Sequence, residues 1–274
     1  STLILAAIFD PVLEGLPKIA AIDIGNSSKG VINLLREISP PDMRDRFMHV
    51  EFELNERFGI NVMDTRVGCQ KPTSAERGFL TNFLTLVLTP VGSTEPIQDA
   101  TQIATMLIDE LYTVCAEDNP TKYIDGQDKL TTAWLQNQRD FEVNKSTTWW
   151  QVVYFAMSKK AYDVAGSAQR FAVPSLKMMP SRLAMSDSLK TLYGQDNPIL
   201  VDAKRLILGF IQQYPSLCKP SNFNFQETDV CIIDLNKVTQ DTGPEGTRRT
   251  TIAYMVSRYL LGKDFLTNKD ILNE

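Results

Sequence analysis

The stretch Asp229-Val230-Cys231-Ile232-Ile233-Asp234 decides the fold class, because its four apolar residues are bounded by carboxylates. A run that is apolar on both faces and too short for a typical helix is typical of a buried strand in a parallel sheet. A similar run, residues 18–25 (KIAAIDIG), lies near the N-terminus and contains Asp23. Helical spacing follows the two runs, over residues 31–38 and about 245–261. The pattern predicts an α/β fold in which both runs lie side by side in one parallel sheet and Asp23 and Asp234 face a common crevice.

Two further strands and one further helix are predicted in the N-terminal part. Residues 49–54 (HVEFEL) alternate between polar and apolar side chains, which favours a half-buried strand. Residues 60–64 (INVMD) are interpreted as a third strand. Residues 1–9 have the pattern of the end of a helix, which Asp10-Pro11 terminates.

Between about residues 73 and 215 the sequence predicts helices and no strand. Thr73-Ser74-Ala75-Glu76 is a capping box, in which Thr73 and Glu76 each accept a hydrogen bond from the other's backbone amide. Helical patterns recur at about 97–116, 130–138, 149–157, 159–171, 175–192 and 198–214. We therefore predict an N-terminal part of the α/β core (1–72), an all-helical insertion (73–225) and a C-terminal part of the core (226–274).

Composition restricts the classes of function. The chain has 274 residues, of which 43% are hydrophobic, and a net charge of −5, which disfavours a protein organised around nucleic acid. Its four cysteines are far apart and it has a single histidine, His49, so a zinc site with clustered ligands is not expected. Scattered thiols are typical of buried, reduced cysteines in a cytoplasmic protein. No apolar run reaches the roughly 20 residues that span a bilayer.

Asp234 is the strongest candidate for chemistry. Four apolar residues followed by Asp have the form of a Walker B strand, whose carboxylate orients Mg²⁺ through water beside the phosphates of ATP. The alternative is a solvated acid at the end of an ordinary strand, and no acid follows Asp234 directly to polarise an attacking water. Asp23 is a similar case. As an acid at a strand end, it is expected either to contact a ribose or a neighbouring helix N-terminus, or to cap the turn that holds Ser27 and Ser28.

The polar turn after the first predicted strand has some features of a phosphate-binding loop. It contains Gly25, Ser27, Ser28 and Gly30, but Val31 takes the place of the lysine in the GxxxxGK[ST] motif. The turn is therefore not a Walker A loop, and that motif is absent from the 274 residues.

Three other groups allow both a functional and a structural interpretation. Arg248 and Arg249 lie in a Gly-rich segment before a helix, where they either reach a phosphate across a subunit boundary as arginine fingers or form a solvated helix start. Trp149-Trp150 is interpreted as core packing rather than as a base-stacking platform. His49 is interpreted as structural, and a Ser-His-Asp hydrolase is disfavoured because the sequence has no GxSxG motif.

Three segments resemble a known family. Residues 22–30 (IDIGNSSKG) are similar to the DIGxSSxG stretch of the DotO/IcmB-like ATPases of Dot/Icm type IVB secretion, which the TraU-like ATPases of conjugative plasmids share. Residues 61–84 resemble that family's NxxDTxxGxxxPTxxERxFLxNFL segment. Residues 231–234, with 248–258 and 264–265, look like its Walker B strand and following helix. The resemblance covers nearly the whole chain and is vaguest in the helical middle.

The resemblance implies a fold, an activity and partners. As in the wider VirB-four/TraC-like secretion ATPases, it implies a RecA-like parallel sheet with a large all-helical insertion, in a P-loop ATP hydrolase that works as a homo-hexamer. Such a motor is cytoplasmic, peripheral to the inner membrane, and powers type IVB secretion or conjugation. The implied cofactors are ATP and Mg²⁺, and the implied partners are a DotB-like ATPase and inner-membrane secretion components, but not nucleic acid.

The same resemblance sets an expectation for this chain alone. The family's Walker A loop is expected upstream of Ser1, so residues 1–274 are expected to be a fragment without turnover of its own. Asp234 is the candidate for catalysis and for water-mediated Mg²⁺ binding, and Arg248 and Arg249 are the candidate arginine fingers. The candidates for cofactor binding are Asp23, Gly25, Ser27 and Ser28.

A second hypothesis is a binding module without chemistry. In that case the helical block over residues 73–215 docks a partner ATPase or a membrane subunit. A third, a nucleic-acid-binding helical protein, is disfavoured by the negative net charge.

Overall fold

The chain forms two compact units, one made of Ser1–Phe58 with Asn222–Glu274 and the other of Gly59–Ser221. The computed structural model describes residues 19–25, 27–55, 58–222 and 228–265. The helix predicted over residues 1–9 lies outside the described residues. Each unit is described by itself below.

A three-stranded parallel sheet forms the centre of the first unit. Its strands are β1 (Ile19–Asp23), β2 (Phe47–Glu51) and β3 (Val230–Asp234), in the spatial order β1-β3-β2. The central strand β3 is buried at all of its positions, as expected for an apolar run between two neighbours. The prediction that the two carboxylate-tipped runs pair in one parallel sheet is confirmed, and so is the mixed α/β class. The prediction that both strands are buried is wrong for β1, which is half-buried or exposed along its length because it lies at an edge of the described sheet.

Helices cover the sheet of this unit. α1 (Ser27–Ile38) follows β1, and its Ile32 and Leu35 pack with Phe47 of β2 and with Val230 and Ile232 of β3. The last helix, α10 (Gly243–Phe265), contacts β1. Ile32 and Leu35 are three residues apart, which places them on one face of α1.

An ion pair fixes the amino end of the sheet. Arg46, at the end of a 3₁₀ helix (Pro41–Arg46), donates from Nη2 to Asp229 Oδ1 at 2.9 Å, and its Nε lies 2.7 Å from Asp229 Oδ2. The Asp229 amide also donates to the Arg46 carbonyl. The Asp229 side chain is buried, and the guanidinium of Arg46 supplies the opposite charge that a buried carboxylate requires, through a hydrogen bond to Oδ1 and a close ionic contact with Oδ2.

Helices joined by turns and irregular segments make up the described part of the second unit, and its one β feature there is an isolated bridge between Lys122 and Thr148. A π-helical turn (Val114–Asp118) and two 3₁₀ turns (Leu176–Met178, Pro215–Cys218) connect some of its helices. The α-helices are α2 (Ser74–Val87), α3 (Ala100–Thr113), α4 (Lys129–Gln136), α5 (Trp149–Ser158), α6 (Tyr162–Ala172), α7 (Met179–Met185), α8 (Asp187–Tyr193) and α9 (Pro198–Gln213). The capping box of Thr73 and Glu76 at the start of α2 is confirmed.

The single helix predicted over residues 175–192 is wrong, because the segment forms a 3₁₀ turn followed by α7 and α8. Ser186 causes the break between the two α-helices. Its Oγ accepts a hydrogen bond from the Leu189 amide and donates to Glu110, so it starts a new helix where the pattern of apolar residues runs on.

The strand predicted over residues 60–64 is also wrong, since the segment is irregular and contains a turn. The Asn61 side chain donates to the Pro174 carbonyl at 2.8 Å and accepts from the Met63 amide. The Met63 carbonyl in turn accepts from the Tyr112 hydroxyl at 2.6 Å. Side chains therefore satisfy backbone groups that a strand would have satisfied through a ladder.

Aromatic packing forms one core of the helical unit. Trp149 is fully buried, stacks on Phe171 at a centroid distance of 4.8 Å and meets Tyr123 edge-on at 4.7 Å. Trp150 is also buried and stacks on Tyr154. The interpretation of Trp149-Trp150 as core residues is confirmed.

The four cysteines are free, and three of them, Cys115, Cys218 and Cys231, are buried. Burial raises the pKa of Cys115 and of Cys218 to about 11, which keeps both as thiols at neutral pH. None of the described helices is long and apolar enough to cross a membrane.

Candidate functional site

Carboxylates from all three strands lie at the carboxyl end of the sheet. The register aligns Asp234 of β3 with Asp23 of β1 on one side and with Glu51 of β2 on the other. Side chains along a strand alternate between the two faces of the sheet. The three carboxylates and the imidazole of His49 therefore lie on the same face as Val230 and Ile232, which is the face that packs against α1. We call Asp23, Ser28, His49, Glu51 and Asp234 the edge cluster.

The Asp234 carboxylate is buried and oriented, and the alternative of a solvated strand-end acid is wrong. Asp234 is 5% exposed, and its Oδ1 accepts a hydrogen bond from the Asn236 amide at 2.8 Å. The backbone fixes its position as well, because the Phe52 amide donates to the Asp234 carbonyl and the Leu235 amide donates to the Asp23 carbonyl. The carboxylate is therefore held at a defined place at the end of the central strand.

His49 lies beside this carboxylate, which the sequence did not reveal. Its Nε2 is 3.9 Å from Asp234 Oδ2 and 3.3 Å from Ser28 Oγ. Burial lowers the pKa of His49, and the nearby charges of Asp234 and Glu51 oppose that effect only in part. Both contacts use the same ring nitrogen, whereas a Ser-His-Asp relay uses opposite nitrogens, so the arrangement is not a hydrolase triad.

Asp23 carries an unsatisfied oxygen at this edge. Its Oδ2 is buried and has no hydrogen-bond partner among the residues that the structure describes. A buried carboxylate oxygen without a partner is costly, which makes it a candidate for a ligand or a metal-bound water.

The polar turn predicted over residues 26–30 is wrong, because Ser27 to Gly30 form the first turn of α1. Gly25 lies in the bend between β1 and this helix. The Ser28 side chain is buried and reaches His49, and this tertiary contact fixes the helix start earlier than the apolar pattern suggested. The first turn of α1 therefore contributes a helix N-terminus to the edge of the sheet, and a helix N-terminus favours negative charge.

Two lysines pair with Glu51. Lys29 Nζ of α1 lies 2.9 Å from Glu51 Oε1, and Lys237 Nζ lies 3.2 Å from Glu51 Oε2. Lys237 also pairs with Glu53. The hydrogen bonds from Lys29 and then Lys237 lower the pKa of Glu51 to about 2, so this carboxylate is charged at neutral pH.

We expect NMR titration of the Glu51 carboxyl to give a pKa of about 2. Replacing Lys29 and Lys237 by methionine should return it towards its ordinary value of 4.5, whereas Lys190→Met on α8 should leave it unchanged. Since the folded-state pKa is lowered, the contribution of Glu51 to stability is present above pH 4.5 and is lost as the pH falls towards 2. A wild-type pKa near 4.5 would show that the lysine pairs do not form in solution.

The two candidate arginines lie within α10 rather than in a loop before a helix, because that helix already begins at Gly243. Arg248 is 9% exposed. Arg249 keeps 43% of its side chain exposed and pairs with Asp241. The interpretation as a solvated helix start is therefore wrong for Arg248, and Arg249 is the more accessible of the two guanidinium groups.

Two carboxylates of the edge cluster, those of Asp234 and Asp23, could contribute ligands to a metal ion that is held mainly by other groups. Among the described residues, no group of three or more His, Cys, Asp or Glu side chains is arranged to hold a metal ion. Mg²⁺ usually keeps several waters and takes one or two carboxylates together with substrate phosphates. Asp234, with the unsatisfied oxygen of Asp23 on the neighbouring strand, fits that smaller requirement.

Similarity to other proteins adds no constraint on this site. Comparisons with models of protein families, with curated proteins and with solved structures find no match to this chain. The functional assignment therefore depends on the geometry of the edge cluster and on the sequence motifs that form it.

Proposed function

We propose that the sheet-containing unit is part of the RecA-like core of a motor ATPase of the type IVB secretion and conjugation class. The observation that supports this most is the buried carboxylate of Asp234 at the carboxyl end of the central parallel strand, in register with Asp23. In open α/β sheets, ligands bind in the crevice beyond the carboxyl ends of the strands. The Walker B-like motif that ends at Asp234 thus lies at the end of the sheet where open α/β folds bind their ligands.

Five of the candidate residues have a defined part in this proposal. Asp234 would orient Mg²⁺ through a water, and the bound ion would neutralise charge on the β- and γ-phosphates. Asp23 would accept from a ribose hydroxyl or a metal-bound water with its unpartnered oxygen. Gly25 and Ser27 would lie beside the phosphates at the N-terminus of α1, where backbone amides favour anions. Arg249 would act as the arginine finger of a neighbouring protomer.

The proposal extends to the assembly. It places the protein in a homo-hexamer at the cytoplasmic face of the inner membrane, where ATP hydrolysis drives assembly or substrate transfer together with a DotB-like ATPase. The 274 residues contain no GxxxxGK[ST] loop, so the proposal requires that motif to be supplied by sequence outside them.

ATP hydrolysis by two forms of the protein tests this function. The 274-residue chain should show no measurable turnover, because the phosphate cradle and its lysine supply much of the affinity for ATP. A longer form that includes a GxxxxGK[ST] loop should hydrolyse ATP. Turnover by the 274-residue chain that is lost in Asp234→Ala but kept in Asp196→Ala, an exposed control, would show that no phosphate loop is needed and would contradict the proposal.

A further inference from the structure

The imidazole of His49 is fixed against Asp234 by the geometry of the sheet. His49 lies two residues before Glu51 on β2 and shares its face of the sheet. Its Nε2 is 3.9 Å from Asp234 Oδ2, and the two side chains are only 8% and 7% exposed. Little water therefore separates the ring from the carboxylate.

Ser28 anchors the ring from the other side. Its Oγ lies 3.3 Å from His49 Nε2, and it belongs to the first turn of α1. That helix is itself fixed to the sheet by Ile32 and Leu35. The ring thus lies between a packed helix and the central strand, so rotation of its side chain would break the contact with Ser28.

The carboxylate determines which tautomer of the ring fits. A lone pair on Nε2 would face the negative charge of Asp234 Oδ2 and be repelled, whereas an N–H would be attracted. We therefore expect the neutral ring to carry its hydrogen on Nε2, so that this N–H donates to Ser28 Oγ and lies near the Asp234 carboxylate.

We infer that His49, anchored by Ser28, is a positioning residue that fixes the orientation of the Asp234 carboxylate. The Asn236 amide already holds Oδ1, and His49 Nε2 lies 3.9 Å from Oδ2, too far for a direct hydrogen bond but close enough for the N–H dipole to attract that oxygen. This inference rests on the proposed function, because it gives the fixed carboxylate its purpose as the group that orients metal-bound nucleotide. Partners of this kind commonly change metal affinity or activity by about 10- to 100-fold.

The chain's single histidine allows a direct structural test. In a long-range ¹H–¹⁵N spectrum of the 274-residue chain at about pH 8, where the ring is neutral, we expect one tautomer with the hydrogen on Nε2. Asp234→Asn and Ser28→Ala should each shift the ring nitrogens. Asn33→Ala, on the exposed side of α1, should not. A hydrogen on Nδ1, or a spectrum unchanged by Asp234→Asn, would overturn the inference.

Nucleotide binding by a form that carries the phosphate loop separates the inference from the proposed function. His49→Leu should weaken Mg²⁺-dependent ATP binding roughly tenfold, while His49→Gln, which retains an N–H donor, should recover most of it. If Asp234→Asn abolishes that binding and His49→Leu leaves it unchanged, the inference fails and the function stands. If Asp234→Asn has no effect on ATP although it shifts the ring nitrogens, the function fails while the contact between His49 and Asp234 stands.

Discussion

Replacing Asp234 by asparagine should lower ATP turnover by roughly 100-fold or more in a form of the protein that carries the phosphate loop. The substitution keeps the size of the side chain and its acceptor for the Asn236 amide but removes the negative charge that a metal-bound water needs. Because this carboxylate is buried at the carboxyl end of the central strand, an ion from solvent does not readily replace its charge. Steady-state ATPase kinetics with Mg²⁺ would measure the effect.

The matched control for this prediction is Asp196→Asn, which makes the same chemical change at an exposed residue of the helical unit. It should leave turnover unchanged. Circular dichroism would establish that both variants are folded. Equal turnover in Asp234→Asn and wild type would show that Asp234 is only the end of a strand.

Trp149→Ala should destabilise the helical unit by about 3–5 kcal/mol, the usual cost of removing a large buried aromatic side chain. Trp149 is fully buried between Phe171 and Tyr123, so the substitution leaves a cavity and removes two ring contacts. All three tryptophans of the chain lie in this unit, and the fluorescence of Trp134 and Trp150 would still report its unfolding in urea.

Leu130→Ala provides the comparison, because Leu130 is 50% exposed on α4 and its loss should change stability by no more than about 0.5 kcal/mol. Trp149→Phe should cost less than Trp149→Ala, since it keeps a ring and removes a buried indole N–H that has no partner among the described residues. Similar midpoints for Leu130→Ala and Trp149→Ala would contradict the packing of this core.

Local patterns were sufficient for those parts of the fold that local forces decide. The apolar runs that end at Asp23 and Asp234 predicted two strands and their parallel pairing, because short runs that are apolar on both faces are typical of parallel sheets. Full burial was correct for β3 alone, because β1 lies at an edge of the described sheet. The capping box at Thr73 was likewise readable, because both of its hydrogen bonds lie within one turn.

The parts that failed depend on contacts between distant residues. The segment 60–64 is held as a loop by hydrogen bonds to the distant residues Pro174 and Tyr112, so its apolar character was misleading. Alternation could have placed His49 and Glu51 on one face, but no local signal gives the register that aligns Glu51 with Asp234. The pairing of Lys237 with Glu51 likewise joins residues that are far apart in the sequence, so it could be found only from the folded structure.

The position of the metal in a nucleotide complex tests the central claim most directly. Mn²⁺ can replace Mg²⁺ in crystals of the phosphate-loop form with a non-hydrolysable ATP analogue, and its anomalous signal would locate the ion. The account predicts an ion about 4 Å from the Asp234 carboxylate, the separation expected when one water lies between them. An ion bound with the nucleotide away from the carboxyl end of β3 would contradict it.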